Sequence, residues 1–275
     1  MTTTVPPRPG PAMARPPRPP GMLSAINSEW IKLRTVRSTF ITLAVVVILG
    51  VGLAALFSWG AASSYASGSY TGVFDPTSLS LASLGLGQLA VAVLGSLVIT
   101  SEYSSGMIRT SLMATPHRPR LLGAKAVAFT AVMVVVGEVT AFGAFLIGQV
   151  VLAAQAPSAS LGQSSVLRAV IGAGLYLAVI GLLSLAVGAL LRNTAASIAI
   201  LVAFVFVVPL ILRGVLPDSI RNPVIEYWPT EAGSQILSVH RSAHTLSAWT
   251  GFGLLVAFAL AVLALAAWLM AKRDA

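Results

Sequence analysis

The chain contains no cysteine, which excludes a disulfide framework, thiolate metal ligands and cysteine nucleophiles. Charge is nearly as scarce. Of 275 residues, 9% are Asp, Glu, Lys or Arg and 56% are hydrophobic, where a soluble domain carries about 25% charge. Such a chain cannot cover a water-facing surface, so the composition reads as an all-α, polytopic membrane protein. Lysine occurs three times, at Lys32, Lys125 and Lys272, and never in a Gly-x4-Gly-Lys-Ser/Thr context. The loop that cradles nucleotide phosphates is therefore missing, and any ATP hydrolysis must come from a partner. Histidine is confined to His117, His240 and His244, all between the apolar segments, so a serine–histidine couple within the bilayer has no histidine. His240 and His244 have the i, i+4 spacing of paired metal ligands, but neither an HExxH sequence nor a third ligand accompanies them, and no metal site is expected.

Long apolar runs are what the chain has. A membrane-spanning helix needs about 20 consecutive apolar residues, and six segments qualify: 39–62, 79–100, 121–154, 166–191, 195–216 and 248–270. The third is too long to stand upright, so it is expected to begin as cytoplasmic helix and enter the bilayer near Val127. Pro209 should kink the fifth by removing a helix hydrogen bond. A cleaved signal peptide at the first span would need a basic region of 38 residues and an apolar run longer than the ~7–15 such peptides use, so the span is read as retained.

Basic residues set the orientation. On one side lie Arg8, Arg15, Arg18, Lys32, Arg34, Arg37, Arg109, Arg118, Arg120, Lys125, Arg192, Lys272 and Arg273; the other side holds Arg168, Arg213, Arg221 and Arg241. Both termini fall on the richer side and are expected in the cytoplasm, the membrane being the plasma membrane. The net charge of +9 is thereby a topology signal, and no nucleic-acid partner is implied.

Residues 1–21 hold eight of the sixteen prolines, three arginines and no acid, the composition of a disordered cytoplasmic tail. The remaining 22–275 form a single transmembrane domain. In it, Leu23, Ile26, Trp30 and Leu33 recur at helical spacing, which predicts an amphipathic helix over 22–37 lying in the membrane interface against lipid. The external connections 63–78 and 155–165 are short and rich in Ser, Gly and Ala and read as simple loops. Connection 217–247 mixes apolar and acidic residues and predicts short helices dipping into the outer interface.

Inside the spans, Glu138 is the one deep acid. It either contacts the translocation path or tightens helix packing through a hydrogen bond. Gly174, Gly181 and Gly188 repeat every seven residues and form a stripe for close helix approach.

The most informative stretch is the cytoplasmic connection between the second and third spans. It begins at Glu102 and passes through Gly106, Met107, Ile108, Arg109, Leu112, Pro116 and Arg118 to Lys125. Ile108, Leu112 and Met113 give a short apolar stripe, and Pro116 should end that helix. A rigid elbow between two spans can transmit force from a docked partner.

This run resembles the Glu–Gly–Leu–Pro–Arg–Lys pattern of the type-2 ABC exporter permeases. The opening at Ser28-Glu-Trp-Ile-Lys-Leu-Arg34 is similar to the family's interfacial connecting helix, and Leu190-Leu-Arg-Asn-Thr194 also fits. The resemblance covers residues 22–272, with Met107 standing where many members have threonine. It implies that Glu102 to Arg118 contain the coupling helix that docks on a separate ATP-binding subunit, with Glu102 fixing the elbow and Arg109 and Arg118 offering charge partners. It also implies that two permease subunits enclose a path beneath re-entrant outer helices, and that ATP and Mg are used by the ATPase. This chain itself would bind no cofactor and perform no covalent chemistry. Two other classes remain: an intramembrane enzyme or sensor built around Glu138, and an ion-coupled carrier, against which stands the lack of an internal repeat.

Overall fold

The computed structural model describes residues 21–35, 37–114, 117–240 and 245–272. In a bilayer each backbone N–H and C=O must be satisfied within the chain, and apolar runs of this length do so as helices. Helix α1 (Met22–Thr35) is followed by α2 (Arg37–Ala66), α3 (Pro76–Leu81), α4 (Ser83–Ser104), α5 (Met107–Ala114), α6 (Arg118–Leu152) and α7 (Ser164–Leu191). Next come α8 (Thr194–Val202), a π-helical turn (Ala203–Val207), α9 (Val208–Val215), α10 (Asp218–Glu226), α11 (Pro229–Ser234) and α12 (Ala248–Lys272). No strand occurs among the described residues.

Among the described residues, six helices are long and apolar enough to cross a membrane: Phe40–Ala66, Pro76–Ser104, Arg118–Leu152, Ser164–Leu191, Thr194–Val215 and Ala248–Lys272. An even number puts α1 and the end of α12 on one side, called here the terminal side. Helix α7 is the hub. The buried share of its most apolar stretch is 83%, against 17% for the first span and 22% for the fifth and sixth, because α4, α6 and α12 all pack on it. Leu177, Ile180, Leu183 and Leu185 meet Val91, Phe129 and Met133 in this core.

Two local features depart from the expected outline and one agrees with it. The connection 63–78 is not a simple loop: α2 continues to Ala66, and α3 begins at Pro76 under an Asp75 cap. Asp75 Oδ1 accepts from the Thr77 amide at 2.9 Å and the Ser78 amide at 3.2 Å, satisfying amides that a helix start leaves free. The third span runs for 35 residues, or about 52 Å at 1.5 Å per residue, and so overshoots the apolar core at the terminal side as expected. In the fifth span Pro209 is accommodated by the π-helical turn that precedes it.

The glycine stripe is present, and it serves two neighbours. A Cβ at Gly174 would lie 2.6 Å from Glu138 Cδ on α6, whereas one at Gly188 would lie 2.8 Å from Ile99 Cγ2 on α4.

Candidate functional site: a polar elbow held by an ionic clasp

Helix α4 must turn sharply to enter α5, and Gly106 provides the turn with φ of 72°, a left-handed conformation that costs glycine nothing. In α5, Ile108 and Ser111 are buried and Leu112 is half-buried, while Met107 and Met113 stay exposed. The helix thus lies against the bundle by one face and leaves the other exposed.

What fixes the elbow is a group of four charges. Lys125 Nζ, near the start of α6, donates to Glu29 Oε2 on α1 at 2.6 Å and to Glu102 Oε1 on α4 at 2.8 Å. Lys32 Nζ donates to Glu29 Oε1 at 2.7 Å and to Ser111 Oγ on α5 at 3.1 Å, and lies 3.5 Å from Glu102 Oε1. Four helices are therefore tied by one charge-balanced network of two acids and two lysines. The side chains of Lys125, Glu29 and Glu102 are 5%, 3% and 10% exposed, where an unpaired charge would be prohibitive.

The acid and base of α1 respond in opposite directions. Burial by itself raises the Glu29 carboxyl, but the charge and hydrogen bond of Lys125, with those of Lys32, outweigh it and hold Glu29 below 4.5. Burial lowers the Lys32 ammonium, but its bond to Glu29 and the charges of Glu102 and Glu29 hold it above 10.5. By linkage, the Glu29 contribution is present above 4.5 and is lost as pH falls through its depressed value; that of Lys32 is present below 10.5 and is lost as pH rises through its raised value. The gap in thermal midpoint between the wild-type chain and Glu29→Gln should be full at neutral pH and close as pH falls below 4.5, measured by fluorescence in detergent. A gap that persists unchanged into acid would show that Glu29 is not held by its charge.

Beside the clasp is a cleft of about 440 Å³ between α1, α2 and α4, walled by Leu33, Leu94, Leu97 and Val98 and floored by the charged group. On its other flank Arg118 Nη1 reaches the Met270 carbonyl at 3.5 Å, linking the start of α6 to α12. The α7–α8 connection closes this side of the site. Arg192, with φ of 53°, lies 5.1 Å over the Tyr103 ring, and Thr194 Oγ1 donates to Thr100 Oγ1 at 2.8 Å.

Of the residues singled out from sequence, Glu102, Gly106, Met107 and Leu112 share the elbow, and Arg118 opens the helix that follows it. Pro116 and the side chain of Arg109 lie outside the described residues. On α1, Leu23 is 83% exposed, with Ile26, Trp30 and Leu33 half-buried; the face turned inward is that of Ala25 and Glu29. Glu138 stands apart from the elbow. It packs over Gly174, with its Oε2 buried and without a hydrogen-bond partner among the described residues. Sequence reasoning missed the clasp itself. Its signal was available, since two of only three lysines and two of the chain's few acids border the apolar runs on one side.

Six apolar helices with their ion-paired junction on one side define a multi-pass membrane protein. Residues 25–209 match the family described as ABC-2 family transporter protein, and the chain belongs to that family. It is a permease component of an ABC transporter, a transport subunit. The matched segment contains all four residues of the clasp and the whole elbow. No curated protein matches the chain.

Proposed function

We propose that the chain is the membrane subunit of an ATP-driven exporter in the plasma membrane, with the terminal side facing the cytoplasm. The elbow from Glu102 to Arg118 is the surface on which a separate ATPase subunit docks, and a second permease subunit, identical or homologous, completes the path. ATP and Mg are used by the ATPase. The observation that carries this reading is the clasp: a force applied to α5 reaches α1, α4 and α6 through charged bonds rather than through a loop. Met107 and Met113 supply the exposed apolar contact that a docking helix needs.

The test is affinity purification of the tagged chain in mild detergent, with mass spectrometry of what co-purifies. A stoichiometric ATPase is expected. Arg118→Ala should weaken the complex by about tenfold, the value of one charge-assisted hydrogen bond, and Glu102→Ala should weaken it indirectly, by loosening the clasp that holds the elbow. Met113→Glu, on the exposed side of the helix, should do so without disturbing the fold. A wild-type chain that emerges alone under conditions that preserve membrane complexes would overturn the proposal.

A further inference from the structure

Any proline inside a helix strands a carbonyl. In an ordinary α-helix Pro209 would leave the carbonyl four residues back, that of Val205, without a donor. The fifth span instead makes a π-helical turn over Ala203–Val207, where the Val208 amide donates to Ala203 O, one residue further back than in an α-helix. In that register the carbonyl of Phe204 looks to the amide of residue 209, which a proline lacks. Trp228 fills the gap: its indole Nε1 donates to Phe204 O at 3.0 Å. The Trp228 ring also lies 4.8 Å from the Phe204 ring, which stacks on Phe258 of α12 at 5.2 Å. A second tie joins the same two segments, from Arg213 in α9 to Glu231 in α11 at 2.6 Å.

We propose that Trp228 is a register switch for the fifth span. The proline leaves the Val205 carbonyl without a donor in the α form and that of Phe204 in the π form, and the indole reaches only the second, which favours the π winding. Displacement of α10, which has no buried residue, together with the Trp228 that follows it removes that donor and lets the turn rewind as α-helix. Rewinding by one residue turns the half of the span beyond it by about 100° and shifts it by about 1.5 Å. Leu210, Ile211 and Val215, the exposed face of α9, are thereby turned to a new direction. The connection on the non-terminal side controls which face of the fifth span is presented. This device stands independently of the ATPase partner.

The absence of cysteine makes the test direct, because introduced cysteines are the sole labelling sites. Spin labels at Val215 and at Val150, both exposed on the non-terminal side, report rotation beyond the turn. Labels at Ile200, before it, and Val150 are the control. In full-length chain in nanodiscs, pulsed EPR should give one Val215–Val150 distance for the wild type. Trp228→Phe keeps the ring and removes the donor. It should add a second distance displaced by up to about 7 Å, given a side-chain radius near 5 Å. The ratio of the two populations should move roughly two- to tenfold, the worth of one neutral hydrogen bond. Pro209→Ala combined with Trp228→Phe restores an amide for either winding, and because the α form is the intrinsically favoured one, the displaced distance should predominate. Two results would overturn the proposal: an unchanged single distance in Trp228→Phe, or an equal change in the Ile200–Val150 pair, which would mean that the whole span loosened.

Discussion

Lys125→Met is expected to destabilise the chain by about 3–5 kcal/mol, the cost of removing one partner from a buried ion pair. Lys125 is the sole ammonium that reaches both carboxylates at short distance, 2.6 Å to Glu29 and 2.8 Å to Glu102. Methionine fills nearly the same space, so packing is largely kept and the loss is electrostatic. What remains is two nearly buried carboxylates served by Lys32, whose side chain is 38% exposed and 3.5 Å from Glu102. The control follows from the same physics. Adding Glu29→Gln and Glu102→Gln to Lys125→Met removes both buried carboxylates and leaves Lys32 as the one charge, an ammonium 38% exposed and open to solvent, so the triple variant should recover much of the loss. Thermal midpoints of the purified chain in detergent check both statements. A triple variant no more stable than Lys125→Met would mean that the clasp holds by hydrogen-bond geometry and not by charge.

The spans were legible because bilayer physics acts on composition: a run of apolar residues with few charges has one stable form, whatever its neighbours. The elbow was legible at Glu102, Gly106 and Leu112, since an acid, a glycine and an apolar stripe can be read in sequence order. Glu29 was not. It lies 96 positions from Lys125, and its role depends on which face α1 turns to the bundle. The apolar face at Leu23, Ile26, Trp30 and Leu33 reads as turned to lipid, whereas Glu29, flanked by Ile26 and Leu33 on the helix, faces the bundle, because hydrophobic periodicity locates an apolar face without saying whether lipid or protein covers it. Pro209 shows the same limit. The proline announced a break in the hydrogen-bond ladder, but the answer, a π-helical turn completed by the indole of Trp228, required a donor from another element. The glycine stripe likewise announced close approach without naming the partner, and the structure divides it between α6 and α4.

Gly95→Val should be strongly damaging although it lies outside the clasp. A Cβ built at Gly95 lies 2.6 Å from the Gly181 carbonyl oxygen and 2.8 Å from Ser184 Cβ. The obstacle on one side is backbone of the hub helix, which cannot swing aside as a flexible side chain would. Helices α4 and α7 must separate, and the fully buried Val91, Leu177 and Leu185 that surround their contact lose packing with them. A cost at or beyond the upper end of the ~1–3 kcal/mol typical of overpacked cores is expected, since the branched side chain has no free rotamer to relieve it. Gly253→Ala is the contrasting case. Nothing lies within 4 Å of a Cβ there, and the position is inside α12, so alanine should be neutral or stabilise by up to about 1 kcal/mol through helix propensity alone. The two variants differ by a few carbon atoms in chains otherwise alike, so a thermal midpoint that falls in the first and holds or rises in the second isolates helix proximity as the cause. Equal effects would mean that the fourth span is not the hub on which the others pack. The clasp would then have to hold its four helices without the rigid support that α7 gives to α4 and α6.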